Sequence, residues 1–400
     1  MVVGASLAGL RGCEALRRAD YRGEIVLVGA EDHLPYDRPP LSKEILRGEW
    51  EPDRAALRGD RLDDRHAFAD LRLELRLGQA ASHLEVGEWP TVVLEGGDEL
   101  IADGVMIATG AAPRTLPGAD DLEGVHLLRT LEDSLALRRA LTEGDPRLVV
   151  VGGGFIGAEV AASARALGRA VTILEALPVP MSRALGDEMG EVCALLHRDH
   201  GVEVRTSVMV EGFEGDERVT GVRLDGGEVV PADVVVVGVG VVPTTTWLEA
   251  SGVEIDNGVV CDAACAAAPG VVAAGDVARW EHPRWGSMRV EHWTNAVEQG
   301  QHAARSLLTY LEGGEPEPFA PVPYVWSDQY DAKLLFCGHT HPDDHVKVVW
   351  GSVEERKLLA VYERAGEAMA AFAVNTPRHL MVARRHIAAG ASVDDLVAAL

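Results

Sequence analysis

The chain has 400 residues, with 37 Lys plus Arg against 63 Asp plus Glu and a formal net charge of −26. That acidity excludes a nucleic-acid binder that works mainly by neutralising phosphates. No apolar run approaches the roughly 18 residues of a membrane span, and no basic segment precedes an apolar one at the start, so a cytoplasmic protein is expected. A hydrophobic share of 47% and a charged share of 25% are those of a folded globular protein, and at about 100–200 residues per domain the length allows two to four domains.

The five cysteines (Cys13, Cys193, Cys261, Cys265 and Cys337) form no regular framework, and their odd number argues for reduced thiols. Cys261 and Cys265 are the one close pair, read either as small residues filling an interior or as a redox pair. No Cys-X-X-Cys spacing occurs, and no metal site is expected.

Taken in chain order, one long self-similarity stands out. Met1–Gly9 reads M-V-V-G-A-S-L-A-G, and 148–157 reads L-V-V-V-G-G-G-F-I-G. Each is a β-branched run, then a Gly-rich turn, then a helical stretch (10–19 and 158–167). Each is followed by a second strand (25–28 and 171–174) ending near an acid, Glu31 or Glu175. This is a βαβ unit occurring twice. Further strands are expected at 234–239, leading to Gly240 and Pro243, and at 270–274, before Gly275-Asp276. The Pro- and Gly-rich stretch 313–323 reads as a linker. Beyond it, 346–349 and 358–361 read as strands and 377–389 as a helix. The fold class expected is therefore α/β, with two Rossmann-like dinucleotide-binding domains and a smaller C-terminal α+β domain.

The second turn, Gly152-Gly153-Gly154-Phe155-Ile156-Gly157, is a complete dinucleotide fingerprint. Its glycines supply a tight turn, a close backbone approach to pyrophosphate, and a helix N-terminus facing the anion. Glu175, 18 residues after Gly157, can accept both ribose hydroxyls and would repel a 2′-phosphate, which favours NADH over NADPH. The NAD site is read as Gly152, Gly154, Phe155, Ile156, Gly157, Glu159, Glu175 and Gly240. The first turn keeps Gly4 and Gly9 but has Ser6 in the middle position, which is expected to cost conformational freedom. The strand before it is short and leaves room for a translation start upstream of Met1. Two nucleotide sites in one chain suggest a relay between nicotinamide and a flavin, in which the cofactors carry the chemistry.

At Leu34–Lys43, L-P-Y-D-R-P-P-L-S-K, the sequence resembles the FAD-dependent NADH:ferredoxin and rubredoxin reductases that serve oxygenases and cytochromes P450. Ala108-Thr109-Gly110, Leu128–Asp133, Ala274-Gly275-Asp276, Glu291-His292-Trp293, Gln299-Gly300 and Trp326–Tyr330 extend the resemblance over essentially the whole chain. It implies a glutathione-reductase-like arrangement. Residues 1–111 and 235–318 would form the FAD domain, 112–234 an inserted NADH domain, and 319–400 a C-terminal domain covering the flavin. It also implies FAD contacts by Gly4, Ser6, Leu7, Ala8, Gly9, Arg38, Lys43, Ala81, Arg129, Gly275, Asp276 and Trp293. The family usually has an acid where this chain has Ala30, which makes Glu31 the candidate for the FAD ribose. Asp276 has a second reading, as the N-cap of a following helix.

For the chemistry, a helix beginning near Thr294 would point its positive end at the flavin. Lys43 is expected beside the flavin, paired with Glu159. Glu159 has a plainer reading as an acid favoured near a helix N-terminus, and Trp326 has one as ordinary packing. The catalytic set expected is Lys43, Glu159 and Trp326. The implied reaction takes electrons from NADH through FAD to a [2Fe–2S] ferredoxin. Disulfide and peroxide chemistry is excluded, because 40–43 carries no cysteine. A redox-sensing flavoprotein of the apoptosis-inducing-factor type and an NADH:quinone reductase are the alternatives.

Residues 1–48 are net 0, 319–400 net −2 and 277–311 net +1, so the acidity lies elsewhere in the chain. A local basic patch of Arg279, Arg284, Arg289 and Lys333 could therefore steer an acidic ferredoxin onto an acidic protein. The oligomeric state expected is a monomer or weak dimer.

Overall fold

The structure, a computed structural model, describes residues 1–119 and 122–400. The chain divides into two compact units. The first comprises Met1–Asp37, Pro52–Ala112 and Val242–Pro323, and the second Arg38–Glu51, Pro113–Val241 and Tyr324–Leu400.

The first unit is built on a six-stranded sheet in the order Ala266–Ala268, Val271–Ala273, Val105–Ile107, Val2–Val3, Ile25–Val28 and Leu73–Arg76. Its strands run parallel apart from the Ala266–Ala268 edge. The strand Val2–Val3 is central and fully buried, as its β-branched residues require. Two helices, Leu7–Arg18 and Trp293–Leu311, pack together over this sheet. Their contact depends on Gly300, where a Cβ would lie 2.4 Å from the Ala8 carbonyl oxygen.

The stretch read as a linker at 313–323 is docked rather than loose. Phe319 is buried, its N–H bonds Ala263 O at 2.7 Å, and its carbonyl accepts the Trp280 indole N–H at 3.1 Å. Burying a side chain of that size contributes about 1.5–3 kcal/mol, which is why the Pro-rich run follows one path.

The second unit has a parallel five-stranded sheet in the order Glu203–Thr206, Ala170–Glu175, Arg147–Val151, Val234–Val237 and Val125–His126. Its C-terminal part is an antiparallel sheet in the order Tyr324–Gln329, Ala332–Gly338, Glu367–Val374, Lys357–Arg364 and His345–Ser352, followed by the helices Pro377–Ala388 and Val393–Ala398. The helix Ser182–Asp199, unforeseen in the sequence, shares one apolar core with that sheet through Leu185, Cys193, Leu358 and Phe372. The expected fold class is therefore found, and its helices start earlier than expected. They run Leu7–Arg18 and Phe155–Ala166, because Gly9 and Gly157 already lie inside them. Among the described residues no helix is long and apolar enough to cross a membrane.

Candidate functional site

In the first unit the chain leaves Val2–Val3 and turns at Gly4, which has φ 123°; a Cβ there would lie 2.0 Å from the Ala108 carbonyl oxygen. Gly9 presses back on the same turn, where a Cβ would come 2.1 Å from Gly4 O. Only glycine fits at either position. Ser6, between them, is extended at φ −130°. Any residue adopts that conformation, so the expected cost of serine does not arise. Its hydroxyl does not cap the helix, and the first helical turn holds no acid. The amides of Leu7, Ala8 and Gly9 thus face outward from the positive end of the helix, as an anion site requires.

Other expected residues of this unit gather into bonded pairs. The Gly275 N–H donates to Gln299 Oε1 at 2.9 Å, and Gln299 is fully buried. The Asp276 carbonyl accepts from Arg289 Nη1 at 2.9 Å. A strand, Ala278–His282, follows Asp276, so the N-cap reading of this aspartate is wrong. Glu31 accepts a hydrogen bond from the hydroxyl of buried Tyr36. Trp293 opens its helix and donates its indole N–H to Asp37 Oδ1 at 2.6 Å. Ala81 starts the half-buried strand Ala81–Glu85.

The second unit repeats the turn. Gly152 has φ 101°, and a Cβ there would sit 2.4 Å from Gly238 O; a Cβ at Gly157 would sit 2.2 Å from Gly152 O. Gly154 is the uncapped N-cap of the Phe155–Ala166 helix, and a Cβ on it would meet nothing within 4 Å. Space in front of this turn is therefore open. Phe155 is half-buried and Ile156 is 42% exposed. Glu175 is buried, with Oε2 accepting from Gly153 N–H at 2.7 Å and Oε1 from Leu177 N–H at 2.9 Å. These bonds fix the carboxylate beside the turn, and each oxygen keeps a further lone pair for a diol. Gly240, at φ 104°, ends the turn that follows Val234–Val237, and its carbonyl accepts from Arg114 N–H at 2.9 Å.

Also in the second unit, Lys43 meets Glu159, Nζ to Oε2, at 2.7 Å, with both side chains 8% exposed. The segment carrying Lys43 is fastened by two serine hydroxyls, Ser134 Oγ to Leu41 O at 2.7 Å and Ser163 Oγ to Ser42 O at 2.6 Å. Two more hydroxyls reach the carboxylate, Ser42 Oγ to Oε2 at 2.5 Å and Ser327 Oγ to Oε1 at 2.8 Å. Desolvating an ion pair is costly, and removing one partner of a buried pair costs about 3–5 kcal/mol. Arg38 donates Nη1 to the Arg129 carbonyl at 2.5 Å, so these two expected residues are also tied together. Trp326 is not part of the cluster. Alternation along Tyr324–Gln329 turns it to the strand face opposite Ser327, where its ring centroid lies 6.2 Å from that of Tyr324.

Residues 1–300 match the model of the pyridine nucleotide-disulphide oxidoreductases, and residues 324–399 match that of the reductase C-terminal domain. The chain belongs to this family, among its ferredoxin reductases. It is 38% identical to the ferredoxin–NAD(+) reductase component of the anthranilate 1,2-dioxygenase system of Burkholderia cepacia, over 98% of this chain and 95% of that one. It is 35% identical to the ferredoxin reductase subunit of the 5,5'-dehydrodivanillate O-demethylase of Sphingobium sp., over 98% and 94%. The crystal structure of the covalent putidaredoxin reductase–putidaredoxin complex superposes with a TM-score of 0.90 at 32% identity, over 99% of this chain and 94% of that one.

The residues fit the two nucleotides of such a reductase: two uncapped helix N-termini, each behind a turn where glycine is sterically required, with an acid at the end of the second strand. The cysteines of this member are not placed as redox thiols. All five cysteines are buried and unpaired, and burial pushes the thiols of Cys13, Cys193, Cys265 and Cys337 up to about 12, far from nucleophilic thiolates. The four expected docking cations differ. Arg279 pairs with Asp256, and Lys333 with Asp328 at 2.8 Å. Arg284 stacks over Trp285, 5.5 Å from the ring centroid. The Arg289 side chain is 11% exposed and paired with Glu291 at 2.8 Å, which suits it to holding the Asp276 turn. Sequence reasoning missed Tyr36, Ser42, Gln299 and Ser327. All four stood inside runs that carry the resemblance, and nothing in a run says which neighbour faces inward.

Proposed function

We propose that this chain draws two electrons from NADH through FAD and delivers them singly to a [2Fe–2S] ferredoxin serving an oxygenase. It is an NADH-dependent flavoprotein ferredoxin reductase. The observation that carries the reading is the pairing of two dinucleotide turns with a buried Lys43–Glu159 pair where no cysteine stands. FAD, when bound, accepts two electrons at once from the nicotinamide and can release them one at a time.

The first unit's turn, through Leu7, Ala8 and Gly9, would hold the FAD pyrophosphate. Glu31, oriented by Tyr36, would take the adenosine ribose, with Ala81 beside the adenine. Gly275, Asp276 and Trp293 would complete that unit's contacts, and Arg38 and Arg129 are further proposed contacts. The expected 234/235 boundary would cut the strand Val234–Val237 of the second unit's sheet, so the FAD domain is proposed as 1–111 and 242–318, the NADH domain as 112–241 and the C-terminal domain as 319–400. In the second unit, the open face of Gly154 admits the NADH pyrophosphate, and Glu175 accepts its ribose hydroxyls and repels a 2′-phosphate. Lys43 and Glu159 orient the nicotinamide. Trp326, on the other strand face, is proposed to line the flavin site. Arg279, Arg284 and Lys333 are the docking cations, and a protein that takes electrons from NADH and hands them to a ferredoxin is proposed to work in the cytoplasm.

Stopped-flow reduction of the flavin by NADH tests the role of the pair. Lys43→Ala should slow it about tenfold or more while flavin remains bound, as misplacement of a positioned reactant does. Unchanged reduction kinetics would remove Lys43 from the reaction.

A further inference from the structure

Glu159 is 7% exposed, yet three donors from separate parts of the second unit converge on it. Lys43 and Ser42 come from the 38–51 segment and share Oε2. Ser327 comes from the strand Tyr324–Gln329 of the C-terminal part and binds Oε1. Ser327 is itself fully buried and accepts a hydrogen bond from Gln329 Nε2 at 3.1 Å. An amide NH₂ only donates and a serine has one proton, so the Ser327 proton is committed to Glu159. Ser42 has two acceptors in reach, Glu159 at 2.5 Å and the Pro39 carbonyl at 3.3 Å, and the shorter bond goes to the charged group.

We infer that Ser327, assisted by Ser42, is a positioning residue that holds the Glu159 carboxylate in its pairing with Lys43. The C-terminal module thereby supplies a hydrogen bond to the ion pair of the nucleotide-binding helix, besides any cover it provides. This rests on the reading that the pair serves the nicotinamide. Without the Ser327 hydroxyl, Oε1 loses a donor inside a dry site. The carboxylate then turns or draws in water, and Lys43 is held less tightly.

The chain suits a direct test, because it has four lysines, of which Lys333, Lys347 and Lys357 are exposed and Lys43 is buried. Holoprotein is treated with limiting acetylating reagent, and each lysine is followed by mass spectrometry. In the wild type the three exposed lysines react and Lys43 lags. Ser327→Ala should speed Lys43 relative to the other three by about fivefold to tenfold, the effect of one lost buried donor, and Ser327→Thr should restore protection. Flavin reduction by NADH should have its pH profile displaced in Ser327→Ala and left in place in Ser327→Thr. Unchanged Lys43 labelling together with a superimposable pH profile in Ser327→Ala overturns the inference. If Ser327→Ala does not fold, Ser42→Ala should expose Lys43 in the same assay, and unchanged labelling there is equally contradictory. Labelling reads the geometry alone, whereas a wild-type flavin that NADH fails to reduce refutes the proposed function itself.

Discussion

Among the three glycine positions of their fingerprints, the two nucleotide turns differ at one, and the difference separates glycines the backbone needs from one the ligand needs. Gly4 and Gly152 have φ 123° and 101°, with a carbonyl oxygen where a Cβ would be. Gly9 and Gly157 press on those same turns, within 2.1 and 2.2 Å of the carbonyl oxygens of Gly4 and Gly152. The middle residues, Ser6 and Gly154, are both extended, at φ −130° and −74°. The first turn therefore folds equally well with serine. The middle position concerns what approaches from outside, and there the second turn keeps its space open.

The largest effect should come from Gly4→Ala or Gly152→Ala, each of which adds a clash with backbone to an unfavourable φ. About 3 kcal/mol or more of stability should be lost, measured by denaturant unfolding. A loss typical of a surface substitution would break the steric half of the comparison. Next come the two acids. Glu175→Ala should lower the NADH/NADPH ratio of kcat/KM about tenfold, since the carboxylate's repulsion of a 2′-phosphate is lost. An unchanged ratio would leave Glu175 as a brace for Gly153 and nothing more. Tyr36→Phe should weaken FAD binding by about threefold through the freed Glu31, read from flavin release on dilution. Smallest of all, Ser6→Gly should shift stability by only a few tenths of a kcal/mol. Gly154→Ser should be as mild in unfolding but raise the KM for NADH, and that split sharpens the distinction between fold and ligand.

Much of this was legible in the sequence, because steric requirement leaves a residue-type signature. The spacing Gly-x-x-x-x-Gly, the β-branched strand before it and the acid after it locate both βαβ units. The family-like run through Lys43 pointed to its partner 116 residues away. What stayed hidden depends on direction and distance. Ser327 and Trp326 are neighbours in sequence and opposite in space, because a strand alternates its faces. The aromatic drew notice and the serine did not, yet the serine reaches Glu159. Asp276 was ambiguous because a short loop before a helix and one before a strand carry the same residues. The arginines read as a docking patch were counted as charges, without the carboxylates that Arg279 and Arg289 meet in the folded chain.

The central claim is that the two turns work in series, the NADH held by the second turn reducing the flavin held by the first, and the flavin feeding a protein partner. Anaerobic titration of the yellow protein with NADH, followed by cytochrome c reduction with and without an added [2Fe–2S] ferredoxin, tests it most directly. The account predicts that stoichiometric NADH bleaches the bound flavin, and that cytochrome c reduction depends on the ferredoxin and saturates with it. A flavin that NADH leaves oxidised, or cytochrome c reduction indifferent to the ferredoxin, would contradict it.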